Sequence, residues 1–403
     1  MAKTKGNMII GQSGGPTAVI NQSLIGAVTE AFRHPEITNI YGMLNGIDGI
    51  LKDQIIDFRK EDKKNLLRVS QTPASALGSC RHKPTEEECG VIFEKLRKLE
   101  VRYFFYIGGN DTAEAAHILS QIALKNSYDI KVFHIPKTID NDLRETDHCP
   151  GYASAAKYVA MSFMGNNMDN YSLPGVKIDV VMGRNAGWLT AAAGLAKIPD
   201  LDGPHLIYVP ERPVSLDQFC KDVLDVYEKH GRALVAVSEG LKTPDGKLIL
   251  ESQITEKDSH GNLQLSGSGM LGDFLVAEVK KRYTGKKLRI RSDTLGYAQR
   301  SFPGIYSKID AREAWSVGEA AVKHAVAGSV NNGSVTILRA GTPSKYASKM
   351  GLTELSKVAK FTKDLPANFM NDRGNGVTDA FLDYLRPLVD GMPELGVLKR
   401  VKI

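Results

Sequence analysis

Residues 131–142, KVFHIPKTIDND, combine a short apolar run with a dense group of charged and polar side chains. Lys131 to Pro136 is a short apolar run that a proline closes, which is typical of a buried strand. One lysine, one hydroxyl and two carboxylates then follow within six residues, beginning at Lys137 and ending at Asp142. Ligands of open α/β sheets bind beyond the carboxyl ends of the strands. The stretch therefore predicts a strand that presents charged side chains to a ligand.

Strand-like and helix-like patterns alternate around this stretch, without a low-complexity linker. Strands are predicted at residues 7–11, 102–108, 131–136, 176–183, 205–210, 233–238 and 334–339. Helices are predicted at residues 112–124, 216–230, 271–283, 311–327 and 377–388, and one more is predicted from Pro16 to Phe32, with the proline in its first turn. Such alternation predicts an α/β protein with largely parallel sheets, covered by helices on both faces.

The bulk composition narrows the class of function. The chain has 403 residues, which is too long for one ordinary core, so we expect two domains. No apolar run approaches the roughly 20 residues needed to span a bilayer, and the N-terminal run is too short for a signal peptide. The net charge of +6 is mild, and only residues 280–291 hold a basic cluster. We therefore expect a cytoplasmic protein without a membrane or nucleic-acid partner, and four cysteines without metal-binding spacing predict reduced thiols.

Two glycine motifs follow predicted strands. The first comprises residues 11–17, GQSGGPT, and glycines there would let backbone N–H groups approach a phosphate. A tight turn without a ligand explains this motif equally well. The second comprises residues 107–112, IGGNDT, where Asn110 and Asp111 could provide oxygen ligands for a Mg²⁺-bound phosphate. The alternative is a helix N-cap formed by Asp111 or Thr112.

Further polar residues follow apolar segments in the second half of the chain. They are Met182, Gly183 and Arg184, then Glu239, then Arg291, Tyr297 and Arg300. Arginine is the residue expected to clamp a phosphate with two hydrogen bonds. Any single one of these arginines would more often be a surface ion pair, but three beside strand ends indicate a polyanion site.

Taken together, these motifs resemble the 6-phosphofructokinases over roughly residues 7 to 340. The matching motifs are S-G-G, G-G-[ND]-[GD]-[ST], P-x-T-I-D-N-D, M-G-R-x-x-G-W-L-T and L-G-[HY]-x-Q-R, in the order and approximate spacing of the family. The P-x-T-I-D-N-D and M-G-R motifs are highly specific, whereas the glycine motifs alone are weak.

The resemblance implies a role for each matching residue. Asp140 matches the catalytic base for the 1-hydroxyl of fructose 6-phosphate, and Lys137 and Arg184 would offset charge on the transferring group. The sugar-site matches are Thr138, Ile139, Asp142, Met182, Gly183, Glu239, Tyr297 and Arg300, and Arg291 sits where another phosphate-binding arginine is usual. On the donor side, Gly14 matches the phosphate loop and Arg81 a donor-side arginine.

Two positions indicate pyrophosphate as the donor. ATP-dependent members of the family have glycine where this chain has Asp111, and the aspartate would oppose the α-phosphate of ATP. They also have glycine where this chain has Lys137, whose charge can compensate a terminal diphosphate. Exclusion of one donor combined with attraction for the other is a common basis of specificity. Both changes resemble the pyrophosphate-dependent branch.

The chain also departs from the family pattern. Asn110 replaces the aspartate on the metal side, so it and Asp111 would support Mg²⁺ with one charge fewer. Gly175 falls where an arginine that reaches a neighbouring subunit is common, and Lys177 could substitute for it.

The resemblance implies two three-layer α/β domains with the active site in the cleft between them. We expect a pyrophosphate-binding domain at 1–150, a sugar-phosphate-binding domain at 151–310, and C-terminal helices and a strand at 311–403 that pack across both. A homodimer or homotetramer is expected, because the family completes its sugar site with a neighbouring subunit. The alternatives are an ATP-dependent enzyme and, less favoured, a non-catalytic regulatory subunit; the intact T-I-D-N-D motif argues against the latter.

Overall fold

The computed structural model describes residues 4–198, 201–250, 268–342 and 345–398. The chain forms two compact units. The first consists of Met1–Ser154 and Arg300–Lys363, and the second of Ala155–Gln299 and Asp364–Ile403. The roles assigned to residues 1–150, 151–310 and 311–403 remain predictions.

The strands are distributed over both units. They are β1 (Gly6–Gln12), β2 (Ile37–Met43), β3 (Ile55–Asp57), β4 (Val101–Gly108), β5 (Lys131–Pro136), β6 (Val176–Val181), β7 (Leu206–Tyr208), β8 (Ala233–Ser238), β9 (Ile290–Thr294), β10 (Asn332–Thr342) and β11 (Lys345–Thr353).

The α-helices separate most of these strands. They are α1 (Ile20–Ala31), α2 (Ile47–Leu51), α3 (Lys63–Ser70), α4 (Glu86–Lys98), α5 (Asn110–Lys125), α6 (Tyr152–Ser172), α7 (Trp188–Ala191), α8 (Leu216–His230), α9 (Met270–Arg282), α10 (Ala298–Ser301), α11 (Lys308–Ala327), α12 (Leu355–Val358) and α13 (Asp379–Leu385). Among the described residues, no helix is both long and apolar enough to cross a bilayer.

Parallel pairing arranges the strands of the first unit in the order β11-β10-β5-β4-β1-β2-β3. Strands β1, β2, β4, β5 and β10 run parallel, whereas β3 and β11 are antiparallel edge strands. The carboxyl ends of β5, β4 and β1 therefore lie side by side. Each of these three strands leads directly into one of the motifs that the sequence predicts to bind the donor.

Both faces of this sheet are buried, because successive side chains of a strand point to opposite sides. Met8 and Ile10 of β1 pack in a core that α1 and α11 cover, whereas Ile9 packs in a second core with α2, α4 and α5. This three-layer arrangement explains why the strands are apolar without alternation.

Helices α1 and α11 approach unusually closely at two glycines. A Cβ atom at Gly318 would lie 2.1 Å from Ser23 O, and a Cβ atom at Gly26 would lie 2.4 Å from Trp315 O. No side chain fits at either position unless the helices separate. The contact therefore holds the C-terminal part of the first unit against its N-terminal part.

The second unit contains a fully parallel sheet in the order β7-β8-β6-β9. Helices α8 and α9 cover one face of this sheet, where Phe219 and Leu275 are buried. On the opposite face, Asn166 and Asn170 of α6 donate hydrogen bonds to Asp179 and to Gly175 O. This sheet is therefore covered on both faces as well.

The predicted α/β class with largely parallel sheets is confirmed, but one local prediction is wrong. Pro16 was expected in the first turn of a helix, whereas α1 begins at Ile20. The residues between them form a turn in which Thr17 is buried and its carbonyl accepts a hydrogen bond from Ala74 N. This bond holds the turn against the segment that follows α3.

The helix contact predicts an asymmetric response to two glycine substitutions. Gly318→Ala forces a methyl group against Ser23 O and should destabilise the protein by about 1–3 kcal/mol. Gly90→Ala is the control, since a Cβ atom at this α4 position meets nothing within 4 Å. It should stabilise the protein by about 0.5–1 kcal/mol through helix propensity. Urea denaturation of both variants measures the difference, and equal effects would contradict the close contact.

Candidate active site

Hydrogen bonds hold the loop after β1. Ser13 N donates to Ile107 O at 2.9 Å and Gly14 N donates to Cys80 O at 2.9 Å. Gly14 O accepts from Ser79 Oγ at 2.6 Å, and the φ angle of Gly14 is +75°. A glycine is needed there, because other residues rarely adopt this conformation. The loop thus places Gly14 beside the segment that carries Arg81.

A buried histidine connects the ends of β4 and β5. One ring nitrogen of His134 lies 2.8 Å from Ser334 Oγ, and the other lies 2.9 Å from Gly108 O. Burial lowers the pKa of His134 to about 4, so the imidazole is neutral. Gly108 O also accepts from Lys137 N at 2.9 Å. These bonds fix the backbone of Lys137, the first residue after β5.

Lys137 is buried, with 4% of its surface exposed, and its ammonium group lies against the β1 loop. Its Nζ donates to Gly15 O at 2.8 Å, and a Cβ atom at Gly14 would lie 3.1 Å from this Nζ. The Arg300 guanidinium is close by, because its Cζ would lie 3.2 Å from a Cβ atom at Gly15. Burial and then the charge of Arg300 lower the pKa of Lys137 to about 7. A bound polyanion would offset this repulsion between cations.

The segment with Asp140 forms a compact turn. Thr138 Oγ1 accepts from Asp140 N at 3.1 Å, and Asn141 Oδ1 accepts from Cys149 N at 3.0 Å. Asn141 has a φ angle of +55°, which asparagine tolerates better than most residues. Burial raises the pKa of Asp142, while a hydrogen bond from Thr138 and the charges of Lys363 and Lys137 act against this shift. Two carboxylates, Asp140 and Asp142, are therefore held beside Lys137, and Ile139, which precedes Asp140, is buried.

The first turn of α5 provides the oxygen atoms predicted for a metal. Asn110 Nδ2 donates to Phe361 O at 2.8 Å, while Asn110 Oδ1 is buried without a hydrogen-bond partner in the described part of the chain. Asp111 differs, because its side chain is 72% exposed and lies 3.9 Å from Lys83 Nζ. The amide oxygen of Asn110 could accept a hydrogen bond from a water molecule bound to Mg²⁺. The exposed carboxylate of Asp111 could interact with the ion only from the edge of the site.

Four of the predicted sugar-site residues of the second unit lie at the carboxyl ends of β6 and β8. Glu239 Oε1 accepts from Gly183 N at 3.4 Å, and Glu239 N donates to Val181 O at 2.9 Å. Gln299 Oε1 accepts from Met182 N at 3.4 Å. The second unit thus brings Met182, Gly183, Arg184 and Glu239 together.

Arg291 and Gly175 lie at the other end of this sheet. Arg291 pairs with Lys177 near the start of β9 and β6, whereas Met182 follows the end of β6. A side chain at Gly175 is excluded, because its Cβ atom would lie 2.4 Å from Arg289 O. Lys177 contacts the carboxylate of Asp293 and lies 3.6 Å from Asp179. The second unit therefore does not bring Arg291 together with the M-G-R residues.

A charge network that was not predicted surrounds the buried His148, which follows the Asp140 turn along the chain. The two ring nitrogens of His148 lie 2.8 Å from Asp147 Oδ2 and 2.7 Å from Glu313 Oε2. Arg339 donates to the Asp147 carboxylate from both Nε and Nη2. Burial lowers the pKa of His148, but the two carboxylates outweigh it and raise the pKa overall. The T-D-H sequence gives no signal of this network, because Glu313 is remote along the chain.

The depressed pKa of Lys137 predicts that this lysine destabilises the free protein. The unfolded chain keeps the proton up to about pH 10.5, whereas the folded chain loses it near pH 7. The free energy of unfolding is therefore lowered most by Lys137 below pH 7, and this effect disappears as the pH rises toward 10.5. Lys137→Met should unfold at a higher temperature at pH 7 in phosphate-free buffer, with a smaller gain at pH 9.5. A gain that grows with pH would contradict the burial of the ammonium group.

Several named proteins are similar to this chain in sequence over most of its length. A pyrophosphate–fructose 6-phosphate 1-phosphotransferase of Rhodospirillum rubrum is 50% identical over 393 residues, which are 97% of this chain and 96% of the relative. A protein of the same name from Xanthomonas campestris is 37% identical over 99% of this chain and 98% of its own length. A sulfofructose kinase of Alkalicoccus urumqiensis is 36% identical over 78% of this chain and 79% of its own length.

A solved structure has the same fold. The pyrophosphate-dependent phosphofructokinase of Nitrosospira multiformis superimposes with a TM-score of 0.84 at 34% identity, covering 98% of this chain and 95% of that chain. The Phosphofructokinase family model matches residues 7–325, which contain the loop after β1, the Asp140 turn and the M-G-R residues. On this evidence, the chain belongs to the phosphofructokinase family.

Proposed function

We propose that this chain transfers a phosphoryl group reversibly from pyrophosphate to the 1-hydroxyl of fructose 6-phosphate. The products are fructose 1,6-bisphosphate and phosphate. The observation that carries the proposal is Lys137, which occupies a glycine position of the ATP-dependent members and is buried with its ammonium group against Gly15 O. Its position suits a terminal diphosphate held by the β1 loop. The full-length relatives named for this reaction support the proposal.

Positive charge around the β1 loop and a negative charge at Asp111 together select the donor. Positive charge near Gly14 and Gly15 comes from Lys137, Arg81 and Arg300. These cations repel one another, and burial and then the charge of Arg300 lower the pKa of Lys137. Asp111 places a carboxylate in the first turn of α5, beyond Asn110. A diphosphate ends before this carboxylate, whereas the α-phosphate of ATP would extend toward it. The arrangement therefore favours pyrophosphate by attraction and disfavours ATP by repulsion.

The transfer itself requires little covalent chemistry from the protein. Asp140 takes the proton of the 1-hydroxyl as the new O–P bond forms and the bridging P–O bond of pyrophosphate breaks. Lys137 and Arg184 offset charge on the transferring group and on the leaving phosphate. Positioning and electrostatic stabilisation dominate catalysis of this class. The Thr138 bond to Asp140 N serves the positioning, because it fixes the backbone of the base.

The sugar phosphate is held by residues from the M-G-R and L-G-Y-x-Q-R motifs. Met182, Gly183 and Glu239 would contact the sugar, and Tyr297 the 6-phosphate. Arg300, which the resemblance also assigns to the 6-phosphate, lies with its guanidinium beside Gly15 and would instead act on the donor side. Thr138, Ile139 and Asp142 complete the surroundings of the reacting hydroxyl. Because Arg291 lies at the far end of its sheet, it would serve the sugar site of a neighbouring copy. This placement of Arg291 supports a homodimer or homotetramer. We also propose that the enzyme is cytoplasmic and acts in glycolysis.

Mg²⁺ fits the donor side of this site. The buried oxygen of Asn110 would orient a water of the ion, and Asp111 would add charge at its outer edge. Bound with pyrophosphate, the ion would neutralise part of the charge that develops on the phosphoryl oxygens. Asn110 contributes an amide oxygen without charge, so the pyrophosphate oxygens must supply most of the negative ligands.

A donor assay tests the proposal directly. Fructose 1,6-bisphosphate formation should be seen with Mg²⁺, fructose 6-phosphate and pyrophosphate, and should be at least 100-fold slower with ATP, about 2.7 kcal/mol of discrimination. Asp111→Gly should raise turnover with ATP, and Lys137→Gly should lower turnover with pyrophosphate. Activity with ATP alone would identify an ATP-dependent enzyme. Absence of activity with both donors would favour a regulatory subunit.

Removal of the base should separate catalysis from binding. Asp140→Ala should lower kcat by at least about 100-fold, as expected for a lost general base, with the KM values little changed. Glu61→Gln is the control, because Glu61 is an exposed carboxylate after β3. Steady-state kinetics of both variants decide the point. Turnover retained by Asp140→Ala would remove Asp140 from its role.

A further inference from the structure

A short segment after α12 is bonded along the turn that carries Asp140. Residues 360–363, which we call the strap, run antiparallel to residues 142–144. Lys363 N donates to Asp142 O at 2.7 Å, and Arg144 Nε donates to Thr362 O at 3.0 Å. Arg144 also lies over the Phe361 ring, 4.9 Å from its centre. The strap is thus joined to this turn by backbone and side-chain contacts.

The Lys363 side chain reaches further along the same turn. Its Nζ donates to Thr146 O at 3.0 Å and to Asp147 O at 2.9 Å. Burial lowers the pKa of Lys363, while the nearby thiol of Cys149 and the carboxylates of Asp147 and Asp142 act in the opposite direction. One lysine therefore ties together the start and the end of a turn that spans residues 142–147.

A chain of contacts leads from Lys363 to the proposed base. The positive charge of Lys363 favours the ionised form of the Asp142 carboxyl, and Asp142 interacts by a side-chain hydrogen bond with Thr138. Thr138 Oγ1 in turn accepts from Asp140 N at 3.1 Å. Loss of the Lys363 charge would weaken the first of these contacts. The position of Asp140 therefore depends on a residue that is more than 200 positions further along the chain.

The strap also contacts the first turns of α5. Phe361 O accepts from Asn110 Nδ2 at 2.8 Å, and Lys360 Nζ lies 3.2 Å from Glu114 Oε1. The first bond orients the Asn110 amide so that its oxygen is the atom left for a ligand. A carboxylate at this position would place an oxygen against the Phe361 carbonyl. This geometry explains why asparagine replaces the aspartate that is usual on the metal side.

We propose that the strap is a working part of the catalytic site and that Lys363 is a positioning residue for Asp140. The proposal rests on the function proposed above. It goes beyond the family match, because that match ends at residue 325 and does not include the strap. A strap that serves only to anchor the chain end would stabilise the fold without affecting the reaction.

The test compares Lys363→Met with Lys357→Met. Lys357 is a lysine of α12 with a 53% exposed side chain that pairs with Glu354, so its variant provides the matched control. Lys363→Met should lower kcat about tenfold or more, with both KM values within about twofold, since a small displacement of a reacting group is costly. Lys363→Arg, which keeps the charge and the donors, should recover part of the loss. Lys357→Met should behave as the wild type.

Hydrogen exchange provides a readout that does not depend on turnover. Amides of residues 138–148 should exchange faster in Lys363→Met, whereas those of β7 and β8 should not change. Unchanged kcat, a change in KM alone, or faster exchange throughout the chain would each overturn the proposal. If Lys363→Met does not fold, Lys363→Gln keeps a donor without the charge and is tested in the same way. If the wild type shows no turnover, the proposed function fails, and exchange alone tests whether the strap holds the turn.

Discussion

Parallel pairing of β5, β4 and β1 is the constraint on which the first unit depends. Because these neighbouring strands run in one direction, the three loops that follow them emerge at the same edge of the sheet. Residues that are separate in sequence, such as Gly14, Asn110 and Lys137, are thereby placed near one another. An antiparallel neighbour would have sent one of these loops to the opposite edge. The chemistry of this unit is therefore a consequence of strand direction, to which the glycines and charged residues add specificity.

Buried charged groups near the Asp140 turn are compensated by hydrogen bonds or by groups of opposite charge. Lys137 donates to one carbonyl and has a lowered pKa, so it is the least compensated of them. His148 lies between two carboxylates, and Asp310 accepts hydrogen bonds from Gly151 N and from Ser154. Buried ion pairs seldom add net stability, because desolvation offsets their attraction. Here His148 and Asp310 bond the segment that follows Asp140 to the first turns of α11.

The sequence predicted the strands that carry the site better than it predicted the rest of the fold. The strand predicted at residues 131–136 coincides with β5, and the helix predicted at 216–230 coincides with α8, which Ser215 caps at its start and Gly231 at its end. Strands β2, β3, β9 and β11 were not predicted, since they are short, edge-located or mixed in polarity. The role of Lys363 was invisible for another reason. Nothing in a lysine near the end of a sequence indicates that it will bond to carbonyls at Thr146 and Asp147.

The first unit is discontinuous, and this has a consequence for its synthesis on the ribosome. Strand β10 pairs with β5 at Asn332 and Val132, 200 residues apart, and α11 packs on α1 through Gly318. The N-terminal part of this unit must therefore wait, with an exposed sheet edge and an uncovered helix, until the intervening segment has been made. Exposed edges of this kind invite aggregation and binding by chaperones. Slow or interrupted translation after residue 154 would prolong that vulnerable interval, whereas the second unit could begin to fold as soon as its own strands emerge.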